Sequence, residues 1–200
     1  MINSLNPLLK FNNNNLILED YDKNYDERIE EVKAYAKEMH DTADDGKPQL
    51  RWGKINYFEN HPLKIYEQIR DAGYPFEYQA AALCHDLLED TKAKPEKIEE
   101  LAGKKVLEAV KLLTKKEDES NEDYLENINK NDIAKVVKAC DRLNNMKSLL
   151  KDAPKDMALN YLAKKHIEDT QHFYKDYKFK NLDIVDELEK IKKGLGKEDA

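Results

Sequence analysis

Four side chains able to bind a metal follow one another in the order His61, His85-Asp86, Asp141. His85 and Asp86 interrupt the most apolar run of the chain, Ala80-Ala81-Ala82-Leu83-Cys84 before them and Leu87-Leu88 after. An ionised carboxylate in such a setting is costly unless a partner, often a metal, compensates it. Glu89 lies four residues after His85 and three after Asp86, and Asp90 lies four after Asp86. On one helix these side chains share a broad face, and three carboxylates beside an imidazole repel without a cation among them. Asp141 sits in Ala-Cys-Asp-Arg-Leu-Asn-Asn-Met, with Asn145 one turn later on its face, and His61 stands just before Pro62. Imidazole and carboxylate together suit Mn²⁺, Fe²⁺ or Zn²⁺. Four protein ligands leave an octahedral ion two positions for water and substrate. Each residue alone has a plainer role: His61 as a cap or turn residue, Asp141 as an ion-pair partner of Arg142 or Lys138. The ordered set, with two members on apolar helices, favours the metal.

The elements that must position these residues read as helices. Ile29, Val32, Ala36 and Met39 recur at helical spacing from Asp26. Pro62 suits a first helical turn, Leu63, Ile65, Tyr66 and Ile69 form an inward stripe, and Gly73 ends it. Tyr78 to Leu88 is apolar nearly all round and predicts one central buried helix. Pro95 starts another helix, and Val106, Val110 and Leu113 continue the pattern after Gly103. Tyr124 and Ile128 mark one helix, and Ile133 to Leu143 mark another that Asn131-Asp132 caps. Further helices are expected over 156–178 and 182–195. No strand alternation or internal repeat is evident. The expected class is all-α, a helical bundle, with an N-terminal arm over 1–24, a main domain over 25–180, and a C-terminal helix and tail over 181–200.

Composition narrows the partners. The 200 residues suit one domain with a real core. The charged fraction is 38%, against an ordinary level of about 25%, which with only six Gly and six Pro favours long helices with solvated faces. The net charge of −7 opposes duplex nucleic-acid binding, which needs cations against phosphates. Any anionic ligand therefore needs a local cationic site or a metal. Cys84 and Cys140 form no disulfide framework and read as buried thiols of a reducing compartment. No basic-then-apolar leader and no stretch of about 20 apolar residues occurs, so a cytoplasmic protein without a membrane span is expected. The amphipathic C-terminal region permits a homodimer.

Four strings then become familiar: His-Pro-Leu at 61–63, Ala-Ala-Leu-Cys-His-Asp-Leu-Leu-Glu-Asp-Thr at 81–91, Leu-Thr-Lys at 113–115 and Val-Lys-Ala-Cys-Asp-Arg-Leu-Asn-Asn-Met at 137–146. Together they resemble the RelA/SpoT-type (p)ppGpp hydrolase domain of the HD superfamily, and the chain looks like its stand-alone form, the small alarmone hydrolase. The resemblance runs from about Arg51 to Leu150. It implies an HD-domain helical bundle with one Mn²⁺, for which Fe²⁺, Co²⁺ or Zn²⁺ are substitutes. It implies release of pyrophosphate from the 3′ position of guanosine tetra- or pentaphosphate. It makes His61, His85, Asp86 and Asp141 the metal ligands and Glu89 and Asp90 the pair that orients and activates water. Arg51 becomes the residue that packs on the guanine, and Asn145 a polar contact to the nucleotide. The chemistry agrees, since a metal lowers the pKa of bound water from near 16 towards ~7, and a guanidinium stacks flat on a purine as Lys cannot. Lys115, Lys138 and Arg142 are candidate phosphate contacts, and Tyr161, Tyr174 and Tyr177 candidate pocket walls. His166 and His172 fall outside the motifs and are not expected to bind metal.

The departures fall on the nucleotide side. An acidic insertion, Asp41 to Lys47, separates His40 from Arg51. Trp52 stands where a second basic residue is common, Tyr57 is one residue farther from His61 than usual, and Asn144 replaces a frequent His. The adenosine analogue ppApp or another nucleotide stays open as substrate. So do a mononuclear 5′-nucleotidase and a non-catalytic nucleotide-binding module. Residues 87–140 contain no histidine, which disfavours the two-metal phosphodiesterases of the superfamily.

Overall fold

The computed structural model describes residues 15–43, 45–152 and 157–195. Its elements are α1 Asn15–Asp41, α2 Tyr57–Asn60, α3 Pro62–Asp71, α4 Phe76–Cys84, α5 Leu87–Asp90, α6 Pro95–Ala102, α7 Lys104–Leu113, α8 Asn121–Asn129, α9 Asp132–Asp152, α10 Met157–Tyr174 and α11 Ile184–Leu195. Among the described residues the only β pairing is an isolated antiparallel bridge between Leu50 and Asn56. The all-α expectation holds. No described helix is long and apolar enough to cross a membrane.

Two helices organise the rest. α4 packs against α1, α3, α7 and α9, and α9 packs in turn on α3, α7, α8, α10 and α11. Ala80 to Leu83 are all fully buried, as their all-round apolarity requires. Alanine side chains let these neighbours approach, while Ile65, Ile69, Leu83, Val110 and Leu143 fill the space between them. Each large aliphatic buried there contributes about 1.5–3 kcal/mol.

Local signals set several boundaries. Pro62 opens α3, and Gly73, at φ 77°, closes the turn after it. The Ser120 hydroxyl accepts from the Asp123 amide to start α8. The Asn131 carboxamide accepts from the Ala134 amide to start α9, as expected. Other boundaries differ. α1 begins at Asn15, so its first turns lie in the stretch expected as an arm, while residues 1–14 lie outside the described ones. Its inward stripe ends on His40, fully buried, with Met39 only partly covered. α10 ends at Tyr174 rather than near 178. α11 packs on α9 and α10.

The largest correction concerns the central helix. It does not run through to Leu88 but breaks at His85-Asp86. The His85 Nδ1 lies 2.8 Å from the Ala82 carbonyl, the acceptor that a continuing α-helix would offer to the Asp86 amide. Asp86 takes φ −99°, ψ −1°, the bridge region. The chemistry-bearing pair thus forms a corner at the end of α4, and α5 leaves it as a separate turn.

Candidate metal centre

Three elements bring the four ligand candidates together. His61 is held at the start of α3, His85-Asp86 at the corner after α4, and Asp141 mid-way along α9. Donor atoms of His61, His85 and Asp86 lie within 4.8 Å of one another. The two Nε2 atoms are 3.2 Å apart. Asp86 Oδ2 lies 3.3 Å from His61 Nε2 and 3.0 Å from His85 Nε2. Asp141 Oδ1 lies 3.2 Å and 4.0 Å from the same two nitrogens. Neighbouring donors of an octahedral ion bound at about 2.1 Å stand about 3 Å apart, so His61, His85 and Asp86 fit a divalent cation, while Asp141 borders this group through His61 without joining the mutually close set. His61, His85 and Asp141 are buried, where four lone-pair donors facing each other demand compensation.

Outer contacts aim the ligands. The Ala82 carbonyl can only accept, so His85 carries its proton on Nδ1 and turns the Nε2 lone pair inward. His61 Nδ1 meets Asn144 Oδ1 at 2.7 Å with the same result. Asn145 Nδ2 donates to Asp141 Oδ1 at 2.6 Å, and Lys138 Nζ holds the other Asp141 oxygen at 2.6 Å. The Tyr57 hydroxyl donates to Asp86 Oδ2 at 2.5 Å and reaches Asp90 Oδ2 at 3.4 Å.

The electrostatics follow from these contacts. Burial works against a charged His61, but hydrogen bonds to Asp141 and Asp86 outweigh it and lift the imidazole to about 9. A proton and a divalent cation therefore compete for the same lone pairs. Burial also opposes charge on Asp86, yet the His85 and His61 imidazoles hold it well below the carboxylate range. Lys138 and the two imidazoles do the same for Asp141. Asp90 moves the other way. Asp90 is exposed as a residue, but partial desolvation of its carboxyl, then the Asp86 and Glu89 charges, push it up to about 6, against the Tyr57 hydrogen bond. Glu89 is exposed, and its Oε2 accepts from the Lys115 amide at 3.4 Å.

Beside the cluster lies a cavity of about 380 Å³. Asn121, Lys138, Asp141, Arg142, Asn145 and His166 supply its polar lining, and Tyr124, Met146, Leu149 and Ala163 its apolar lining. Arg142 also donates to the Thr170 hydroxyl at 2.9 Å. A second, shallower cavity of about 410 Å³ is bordered by Leu50, Arg51, Tyr57 and Asn145. Of the expected nucleotide contacts, Lys138, Arg142 and Asn145 line the first cavity and Arg51 the second. Lys115 lines neither and spends its ammonium on Asn121 at 2.5 Å. Tyr174 is core, Tyr177 packs on Phe179 at 4.7 Å, and the Tyr161 side chain lies outside the described residues. His166 lines the first cavity.

The chain resembles SpoT-type (p)ppGpp hydrolases. A guanosine-3′,5′-bis(diphosphate) 3′-pyrophosphohydrolase of Aquifex aeolicus (strain VF5) is 31% identical over 131 residues, 62% of this chain and 18% of that protein. The bifunctional (p)ppGpp synthase/hydrolase SpoT of Escherichia coli (strain K12) is 29% identical over 135 residues, 61% of this chain and 18% of that protein. The chain thus spans 18% of the length of these curated relatives. A solved structure of a metazoan SpoT orthologue, described as hydrolysing ppGpp with a role in starvation responses, superposes with a TM-score of 0.68. It is 22% identical, and the alignment covers 84% of this chain and 96% of that one, so the two share a fold. No family model matches the sequence.

Residue types alone did not assign three supporting side chains. Tyr57 and Asn144 stand out in the sequence only as departures of spacing and type, yet they hold Asp86 and His61. His40 is buried with Nδ1 2.6 Å from Gln49 Oε1, and its ring packs 5.1 Å from that of Tyr57. Its signal was the apolar stripe of α1, which it completes.

Proposed function

We propose that this chain is a metal-dependent phosphohydrolase that removes the 3′-pyrophosphate of guanosine tetra- or pentaphosphate, releasing pyrophosphate and GDP or GTP. The observation that carries the reading is Asp141, which is at once a wall of the four-donor cluster and a wall of the cationic cavity. A phosphate seated in that cavity lies against the metal ligands by construction.

His61, His85, Asp86 and Asp141 would hold the cation, and Mn²⁺ suits two imidazoles with two carboxylates. Such an ion supplies a water of lowered pKa and positive charge against phosphate oxygens. Asp90 takes the proton of the attacking water, because a carboxyl at about 6 is basic at neutral pH and holds a proton better than an ordinary aspartate. Glu89 orients that water from the exposed side. Lys138, Arg142 and Asn145 bind phosphate oxygens, and Tyr124, Met146 and Leu149 shield them from bulk water, which strengthens each contact. The phosphorus–3′-oxygen bond breaks, and the 3′ oxygen leaves with a proton. In this reading the catalytic unit spans 25–180 and the protein works in the cytoplasm.

The adenosine analogue is the second reading. It is kept open by Trp52 and Asn144, which depart from the family pattern on the nucleotide side. Purified protein with Mn²⁺ and ppGpp, or ppApp, should release pyrophosphate and the nucleoside diphosphate, and Asp141→Ala should abolish release. Cleavage of ppApp alone would retain the metal site and reject the guanine preference. Metal binding without cleavage of any 3′-pyrophosphorylated nucleotide would reject the hydrolase.

A further inference from the structure

We infer that Arg51 is a positioning residue of the metal centre, a clamp on the outer supports of its ligands, in addition to the nucleobase contact that the resemblance implies. The inference rests on the metal reading of the site given above.

The Arg51 guanidinium is half-buried and its fork is spent on two neighbouring carboxamides. Nη1 donates to Asn144 Oδ1 at 3.2 Å and Nη2 to Asn145 Oδ1 at 2.6 Å. Each amide touches a ligand with its other contact: Asn144 Oδ1 meets His61 Nδ1 at 2.7 Å, and Asn145 Nδ2 donates to Asp141 Oδ1 at 2.6 Å. The guanidinium carbon also lies 5.7 Å from the centre of the Tyr57 ring, whose hydroxyl holds Asp86. One side chain thus backs the supports of three of the four ligands.

What the clamp does follows from the chemistry of a carboxamide. Its two ends are nearly the same size, and only hydrogen bonding decides which faces which way. A guanidinium has donors and no acceptor, so Arg51 forces both carboxamide oxygens towards itself. With its oxygen pinned, Asn144 can only accept from His61, which places the imidazole proton on Nδ1 and frees the Nε2 lone pair for a cation. With the amide reversed, its NH₂ would face Nδ1 and favour the tautomer protonated on Nε2, which cannot coordinate. For Asn145, a pinned oxygen turns the NH₂ to the Asp141 carboxylate, whereas a reversed amide would set oxygen against oxygen. Arg51 is itself held by a tight turn. Its amide donates to the Ile55 carbonyl at 2.9 Å and its carbonyl accepts from the Lys54 amide at 3.0 Å. Gly53 at φ 76°, ψ 5° supplies the left-handed residue that a type II turn needs.

The test is calorimetric titration of metal-free protein with Mn²⁺, in the absence of any nucleotide, for wild type, Arg51→Met, Arg51→Lys, Asn144→Ala and the Arg51→Met/Asn144→Ala pair. Loss of an outer-shell support typically weakens metal binding about 10- to 100-fold, which is the loss expected for Arg51→Met. Arg51→Lys keeps the charge and a donor group but not the planar fork and should lose less, which also preserves a folded variant if Arg51→Met proves unstable. The double substitution should lose less than the sum of the two single losses, because both remove the Asn144–His61 linkage, and more than Asn144→Ala alone, because Arg51→Met also removes the Asn145 support. Mn²⁺ affinity within twofold of wild type in both folded Arg51 variants, with only nucleotide affinity reduced, would overturn the inference and return Arg51 to the nucleotide. A wild-type chain that binds no divalent cation would instead remove the metal reading, and the inference with it.

Discussion

Replacing Glu89→Gln and Tyr57→Phe should move the acid limb of hydrolysis in opposite directions. Partial desolvation and the Asp86 and Glu89 charges together raise the Asp90 carboxyl to about 6, against the Tyr57 hydroxyl. A general base works only when deprotonated, so kcat/KM rises with pH through this pKa. A cation on the four donors lowers the carboxyl further, which makes about 6 the upper bound for the wild-type limb. Glu89→Gln removes a negative neighbour, the Asp90 carboxylate forms more easily, and the limb moves to lower pH. Exposed charge pairs are worth about 0.2–1 kcal/mol and one pKa unit is about 1.4 kcal/mol, so the shift is about 0.1–0.7 unit. Tyr57→Phe removes a donor that favours the carboxylate, so the limb moves to higher pH. A hydrogen bond to a charged group is worth about 1.5–3 kcal/mol when well formed. The Asp90 contact is long at 3.4 Å, so about half a unit is expected. Pyrophosphate release measured from pH 5 to 8 at saturating Mn²⁺ gives the limb position independently of its amplitude. Shifts of the same sign in both variants, or an unchanged limb in Asp90→Asn, would refute Asp90 as the base.

Two further expectations concern stability. Lys138→Met leaves one oxygen of buried Asp141 without its ammonium, and breaking such a pair costs about 3–5 kcal/mol. Urea unfolding of metal-free protein should show this loss and Mn²⁺ should recover part of it, whereas an unchanged midpoint would mean that the pair does not hold α9. Gly103 takes φ 91°, ψ 164° between α6 and α7, and a Cβ there would meet nothing within 4 Å. Gly103→Ala should therefore cost only backbone strain, about 1–3 kcal/mol by the same assay, and a neutral result would show that this turn relaxes freely.

The sequence by itself determined the local and compositional features. A central helix of small apolar residues, Pro62 at a helix start and Asn131 as a cap follow from propensity and periodicity. The four ligand candidates were legible because charge inside an apolar stripe is expensive, and the stripes of α4 and α9 carry it in one order. Tertiary structure decided the rest. Helical spacing states which residues share a face only while the helix continues, so it could not foresee the corner at Asp86, where an imidazole takes the carbonyl of Ala82. Nor does spacing report contacts between elements: Tyr57 with Asp86 spans 29 positions, and Arg51 with Asn144 spans 93. The same limit separates the cations. Lys115, Lys138 and Arg142 look alike in sequence, but the packing of α8 and α10 on α9 puts the last two in the cavity and leaves Lys115 to Asn121. Such pairings depend on how helices cross and which rotamers fit, and only the packed chain sets both.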